Sequence, residues 1–533
     1  MKKYSLLIGL VLLLTACTKT DSKPSTTPTP PPPVAPKIPV VITNPISTLT
    51  NYAIVYNGTL TDTGGSKIIQ LGIVLDTVSK PTTEKNFAKI AATALAGNGS
   101  FTVTSNPLLS SKTFYARTYA TNSFGTGYGN EIQFTAVYHK TFDGDVNLTT
   151  QQEVIEFGAA HYTTINGGLF ISNSVSDLTP LLGLTAVNNG FRVNNSQLVN
   201  FKGLDSLLIT GVIFPNSFYV EYNQKLINFA GLSKLQLTRG GVQIDHNPLL
   251  ENLDGLDSYE ACSSGTLRIG ECDKLSQLNG LKHMVFIGED LQLINNAALK
   301  DISGLANLSE IHGELYVVNN PSLTNLNGLE KIDTLQDGVV IDNNAALRDI
   351  SSLHNLRFIP GPVLGGIIQV SSNPLLESIS CFSQITKVGY LTIQKNGVKS
   401  LAGLNNITTI INTLHIEENP ALINLQGLER LTAAGRLDIL NNAALVNFHG
   451  LEGLTQINST GIALNVALNN SLQSLSGIEN VLWAGGSIQI FNNPVLSGFC
   501  PLRNIFNNGY NQFYTATGNL TNPSQANVVA DCH

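Results

Sequence analysis

Leucine, isoleucine and valine return in a fixed order along most of the chain. A clear copy is Leu315-Tyr316-Val317-Val318-Asn319-Asn320-Pro321-Ser322-Leu323-Thr324-Asn325-Leu326-Asn327-Gly328-Leu329. It gives the template L-x-[IV]-x-x-N-[PA]-x-L-x-x-[LI]-x-G-L. The Asn slot recurs at Asn223, Asn247, Asn296, Asn320, Asn344, Asn373, Asn396, Asn419, Asn442, Asn469 and Asn493, with looser copies around Asn173 and Asn195 and Cys272 as a variant. Most steps are 23 or 24 residues; those before Asn223, Asn373 and Asn469 are 28, 29 and 27. A fixed period of this size predicts an all-β, right-handed parallel β-solenoid of about fourteen coils over 145–503. Each coil places alternating Leu and Ile/Val inward from a short strand, and Gly-Leu takes a tight corner. The Asn amide is expected to satisfy turn backbone and the Asn of the next coil.

Upstream, 38–138 reads as a small β-sandwich. Short alternating runs at 52–59, 67–75, 100–104, 113–120 and 131–137 are separated by Gly/Asn/Asp/Ser/Pro turns, with no helical period. Gly125, Gly127 and Gly129 lack phosphate-loop spacing and precede a strand, so they read as a turn.

The first residues have another logic. Met1-Lys2-Lys3, an apolar run from Leu6 to Leu14 and then Leu14-Thr15-Ala16-Cys17 read as a signal peptide over 1–16, the run being too short to span a bilayer. The polar and Pro-rich residues 17–37 favour an extended polyproline II stalk. Thr150 and Glu153 are spaced as a capping box on a short helix that covers the first coil, and 504–533 reads as a C-terminal cap.

Composition sharpens this picture. Only 13% of the 533 residues are charged while 42% are hydrophobic, as expected when most positions of a coil are committed to Leu, Ile/Val, Asn or Gly. A net charge of −7 with 30 Lys+Arg spread along the chain argues against nucleic acid as a partner.

Several of these segments resemble known families. Leu14-Thr15-Ala16-Cys17 resembles the lipobox of bacterial lipoproteins, which implies lipidation of Cys17 and a membrane anchor. The run from Tyr115 to Glu131 resembles the last hairpin of fibronectin type III-like modules of Bacteroidota surface lipoproteins. The repeat resembles a leucine-rich repeat, and its Asn-Asn-Pro/Ala…Gly-Leu form is similar to the receptor L-domain family. That resemblance implies a ligand-binding solenoid. The Cys-rich neighbours of animal L domains are missing here, so a hormone-receptor role does not carry over.

Cysteine usage suits an oxidising exterior. Cys500 and Cys532 flank the terminal cap and are expected to pair. Cys262 and Cys272 leave two alternatives, a disulfide or inert buried thiols, and Cys381 reads as buried. No GxSxG, P-loop, CxxC or HExxH occurs, so no cofactor or metal is expected from motifs.

Chemistry would have to come from side chains brought together across coils. Outward strand positions include Asp245, Tyr316, Thr392, Gln394, His415, Glu417 and Asp438. His415 and Glu417 on one coil with Asp438 on the next form the sharpest constellation, since paired carboxylates can divide acid and base roles in glycoside cleavage. The leading expectation is a non-catalytic recognition or adhesion lipoprotein, exposed at the outer-membrane surface. It would bind a protein or glycan through a face that includes Tyr316, Thr392, Gln394, His415, Glu417 and Asp438. A structural envelope protein without a discrete ligand is the alternative, and a polysaccharide-active enzyme the third.

Overall fold

The structure, a computed structural model, describes residues 35–49, 54–105, 112–135, 140–211, 218–361 and 365–532. The signal segment 1–16, Cys17 and the stalk up to residue 34 lie outside the described residues. The chain divides into two compact units, at Tyr138/His139.

The first unit carries β1 (Val40–Leu49), β2 (Ile54–Asp62), β3 (Gln70–Asp76), β4 (Ala88–Ala91), β5 (Ser100–Ser105), β6 (Thr113–Asn122), β7 (Gly125–Tyr128) and β8 (Ile132–Thr135). They form antiparallel sheets β1-β2-β5 and β4-β3-β6-β7, with β8 also on β6. Strand alternation buries Tyr56, Phe101, Val103, Phe114 and Ala116 in one core. The expected runs mark β2, β3, β5, β6 and β8. Strand β1 is harder to see because Pro45 interrupts it. That proline falls where the β1/β2 register shifts, between Asn44 and Thr48, so its missing N–H breaks no regular ladder. The glycine-rich run is the β6–β7 hairpin; a Cβ on Gly127 would come within 1.9 Å of the Pro39 carbonyl oxygen.

The second unit is a parallel β-solenoid of about fifteen turns. Short strands stack in register from Val146–Leu148 to Tyr514–Thr517, so that Leu291, Leu315, Val339, Ile368 and Leu391 lie side by side. A second face of two-residue strands runs from Thr141–Phe142 to Glu310–Ile311. One coil alone buries Leu315, Val317, Leu323, Leu326, Leu329, Ile332 and Leu335 completely. At about 1.5 to 3 kcal/mol per large apolar side chain, repetition of this set is the main source of stability.

The asparagine slot works through the backbone. Asn320 Nδ2 donates to the carbonyls of Leu293 (2.8 Å) and Val318 (3.1 Å), and its Oδ1 accepts the backbone N–H of Asn296 at 3.1 Å. These asparagines are buried, each satisfying groups of two coils. The residue just before each one has a left-handed backbone, as at Asn295, Asn319 and Asn343. Asn173 and Asn195 occupy this preceding position, and Ser196 holds the buried slot after Asn195. At the other end the ladder continues past Asn493 to Asn519, which lies beyond the last expected copy.

The corners come in two forms. Gly328 and its counterparts Gly203, Gly255, Gly403, Gly427, Gly450 and Gly477 have φ between +109° and +121°. In each, the glycine N–H is held by a side-chain oxygen two residues on, as by Glu330 for Gly328 and Glu452 for Gly450. Where that later residue is Lys282, Ala306, His354 or Ser383, the corner becomes a 3-10 turn instead. A 3-10 turn needs no left-handed residue, which is why Ser352 and Cys381 can replace glycine there.

Both ends are covered. Helix α1 (Gln151–Ala159) starts in a capping box between Thr150 and Glu153 and buries Val154 against the first coils. Helices α2 (Arg503–Asn507) and α3 (Gln525–Asp531) close the far end, where Cys500 and Cys532 form a disulfide. No helix among the described residues is long and apolar enough to cross a membrane.

Candidate functional site

Strand Thr409–Glu417 lies between Tyr390–Gln394 and Ala433–Leu440. In-register pairing puts Thr392, His415 and Asp438 in one row and Gln394 and Glu417 in the next. His415 Nε2 is 2.9 Å from Glu417 Oε2 and its Nδ1 is 3.7 Å from Asp438 Oδ2. Gln394 donates to Glu417. Two residues that the sequence reading left out of this group complete it. Arg436 Nη2 is 2.7 Å from Asp438 Oδ1, and Asn465 Nδ2 donates to the same oxygen at 3.0 Å. Arg436 was findable, since a residue two positions before Asp438 on a strand shares its face.

The electrostatics follow from these contacts. The Asp438 carboxylate, helped by Glu417 and opposed by partial burial, raises His415 above the ordinary histidine range. Burial disfavours the Asp438 anion, but bonds from His415, Arg436 and Asn465 together outweigh it and hold the carboxyl below its usual range. Asp438 is 6% exposed, so it is not the outward solvated group that strand alternation suggested. A carboxylate held ionised by this many donors is a poor general acid, which requires a raised value. Tyr316 does not join the cluster. Val340 and Gln369 stand between it and Thr392 in the same row, a separation of three strands or ~14 Å.

A concavity lies earlier on the solenoid. A groove of about 440 Å³ is lined by Tyr222, Gln224, His246, Pro248, Glu271, Asp273, Asn295, Ala297, Asn319 and Pro321. These are the same two slots of successive coils, the left-handed residue and the one two positions after it. Asparagine fills the left-handed slot in Asn295 and Asn319, but Tyr222, His246 and Glu271 occupy it with φ of 58°, 53° and 50°. Such a backbone costs a bulky side chain about 1 kcal/mol or more, and Ser372, Lys395, Glu418 and Leu468 bear the same cost in later coils, so the slot accepts many residue types. Tyr222 and His246 stack at 4.3 Å. Beside them Asp245, only 4% exposed, accepts from Arg268 Nε (3.0 Å) and Gln243 Nε2 (3.3 Å) through Oδ2. A second concavity of about 380 Å³, lined in part by Tyr219, Gln243, Arg268 and Gln292, borders the same strands. In the repeat template the left-handed slot is an unspecified position, so Tyr222, His246 and Glu271 carry no pattern of their own.

Cys262 and Cys272 are not joined; both are buried free thiols, and burial pushes each up to about 12. Cys272 fills an asparagine slot, its sulfur against the Gly270 carbonyl, while Cys262 faces the carbonyls of Gly240 and Gly265. Cys381 is also buried and free. No protein-family model, curated protein or solved structure matches this chain.

Proposed function

We propose that this chain is a non-catalytic recognition protein. In this reading lipid on Cys17 holds it at the outer-membrane surface, the sandwich is a fibronectin type III-like spacer, and the solenoid is a right-handed leucine-rich array of the receptor L-domain type. The groove from Tyr222 to Pro321 carries the proposal. It joins an aromatic stacking surface to carboxylates and amides on a stiff support, which is the chemistry that receives a glycan or a polar peptide. The internally paired state of Asp438 favours recognition over glycoside cleavage.

The test is an array of glycans and proteins probed with the chain from residue 18 onward. Saturable binding that is lost in Tyr222→Asn supports the reading. Asparagine suits that slot, so the variant removes the ring and spares the turn. Binding unchanged in Tyr222→Asn would move the site elsewhere, and a blank array would favour a structural envelope role. Release of new sugar ends from a polysaccharide panel would overturn the non-catalytic assignment.

A further inference from the structure

We propose that Asp245, His246 and Glu271 form a divalent transition-metal site in the wall of this groove, suited first to zinc. One donor atom from each lies within 4.8 Å of the other two. His246 Nδ1 is 3.5 Å from Asp245 Oδ1, and its Nε2 is 2.7 Å from Glu271 Oε2, so a carboxylate faces each ring nitrogen. Bonds of about 2.1 Å to a tetrahedral ion separate neighbouring ligands by about 3.4 Å, close to the first of these spacings.

Two further observations point to a ligand. Asp245 Oδ1 is buried and makes no hydrogen bond, His246 Nδ1 approaching it only to 3.5 Å, whereas Oδ2 accepts two. An ionised oxygen removed from water without a donor is costly unless a cation meets it. Moreover, the next coil places Gly270 beside this atom, and a Cβ there would stand 2.6 Å from Asp245 Oδ1. The glycine keeps the space over the orphaned oxygen open. Arg268 and Gln243, bound to Oδ2, fix the carboxylate from behind, as outer partners do at metal sites. Glu271 has a side chain 39% exposed, so it can turn onto the ion at little cost. One imidazole and two carboxylates suit zinc, with remaining positions open to water or to a ligand oxygen in the groove.

The proposal does not depend on any particular recognition partner, because metal binding is measured directly. Tag-free chain from residue 18 onward is titrated with zinc by calorimetry, alongside His246→Asn and Glu271→Asn. Asparagine occupies the same left-handed slot in neighbouring coils, so both variants should fold; far-UV circular dichroism and thermal melting check this. The expected result is a single saturable zinc site in the parent chain that raises its melting temperature. Each variant should weaken binding by about tenfold or more. No zinc binding by the parent chain, or equal binding by folded parent and variants, would overturn the proposal.

Discussion

The side-chain oxygen of Asn344 accepts the backbone N–H of Asn320 at 2.9 Å, across a gap of 24 residues. The bond recurs down the solenoid and ties each coil to the next at the point where its strand ends. Replacing Asn320 by alanine removes one acceptor and leaves the buried carbonyls of Leu293 and Val318 without their side-chain donor. The Val318 carbonyl keeps the N–H of Asn295, so at about 1 to 3 kcal/mol per unsatisfied buried group Asn320→Ala should cost about 2 to 3 kcal/mol. Urea unfolding would measure the loss, and hydrogen exchange should rise first in the coils on either side.

Cys272 is the weak rung. Its own N–H donates to Asn296 Oδ1 at 3.2 Å, but to the backbone of Asn247 it offers a thiol sulfur in place of an amide oxygen. Cys272→Asn is therefore expected to stabilise the protein by about 1 kcal/mol, visible as a higher urea midpoint. With thiols pushed up to about 12, Cys262 and Cys272 should resist alkylation at neutral pH until the solenoid unfolds.

The His415 cluster gives stability a pH dependence of known sign. His415 is raised in the folded chain, so its contribution is fully present below the ordinary histidine value of about 6.5 and disappears as pH rises through the folded value. Asp438 is lowered, so its contribution is present above about 3.9 and is lost as pH falls through the folded value. Both act together between about pH 4 and 6.5. Melting curves across pH 5 to 9 should show a decline on the alkaline side that His415→Gln flattens, and the His415 ring resonances should titrate above the usual range.

The disulfide closes a stretch of 32 residues. A loop of that length confines the unfolded chain by about 3 to 4 kcal/mol. Cys500→Ala with Cys532→Ala should lower stability by up to that amount. Loss of protection should begin in α2, α3 and the strand Tyr514–Thr517, which hydrogen exchange can resolve.

The parts of this molecule legible in the sequence are those that each coil must solve identically. Leu315, Val317, Asn320 and Leu326 announce themselves because the same packing and the same buried turn recur in every copy. The capping box at Thr150 and Glu153 is local and equally readable. Asp438 and Asp245 were harder, since alternation alone puts them outward; their burial depends on Arg436, Asn465 and Arg268 folding over them. The groove was hidden for another reason. Tyr222, His246 and Glu271 occupy a slot that elsewhere takes Asn295, Ser372, Lys395, Glu418 and Leu468, so no repeat pattern marks them. Seven of the left-handed corners are encoded in an Asp, Asn or Glu two residues after the glycine.

One residue near the carboxyl terminus acts as a full stop. The N–H of Asn519 goes to Asn522, only three positions on, which accepts it at 3.0 Å while donating to the Asn519 carbonyl at 3.1 Å. The chain thereby answers from within the demand that every earlier asparagine passes forward. An array finished in this way presents no unspent rung to a second molecule. End-to-end stacking on this coil would lose the asparagine bond that joins the other coils.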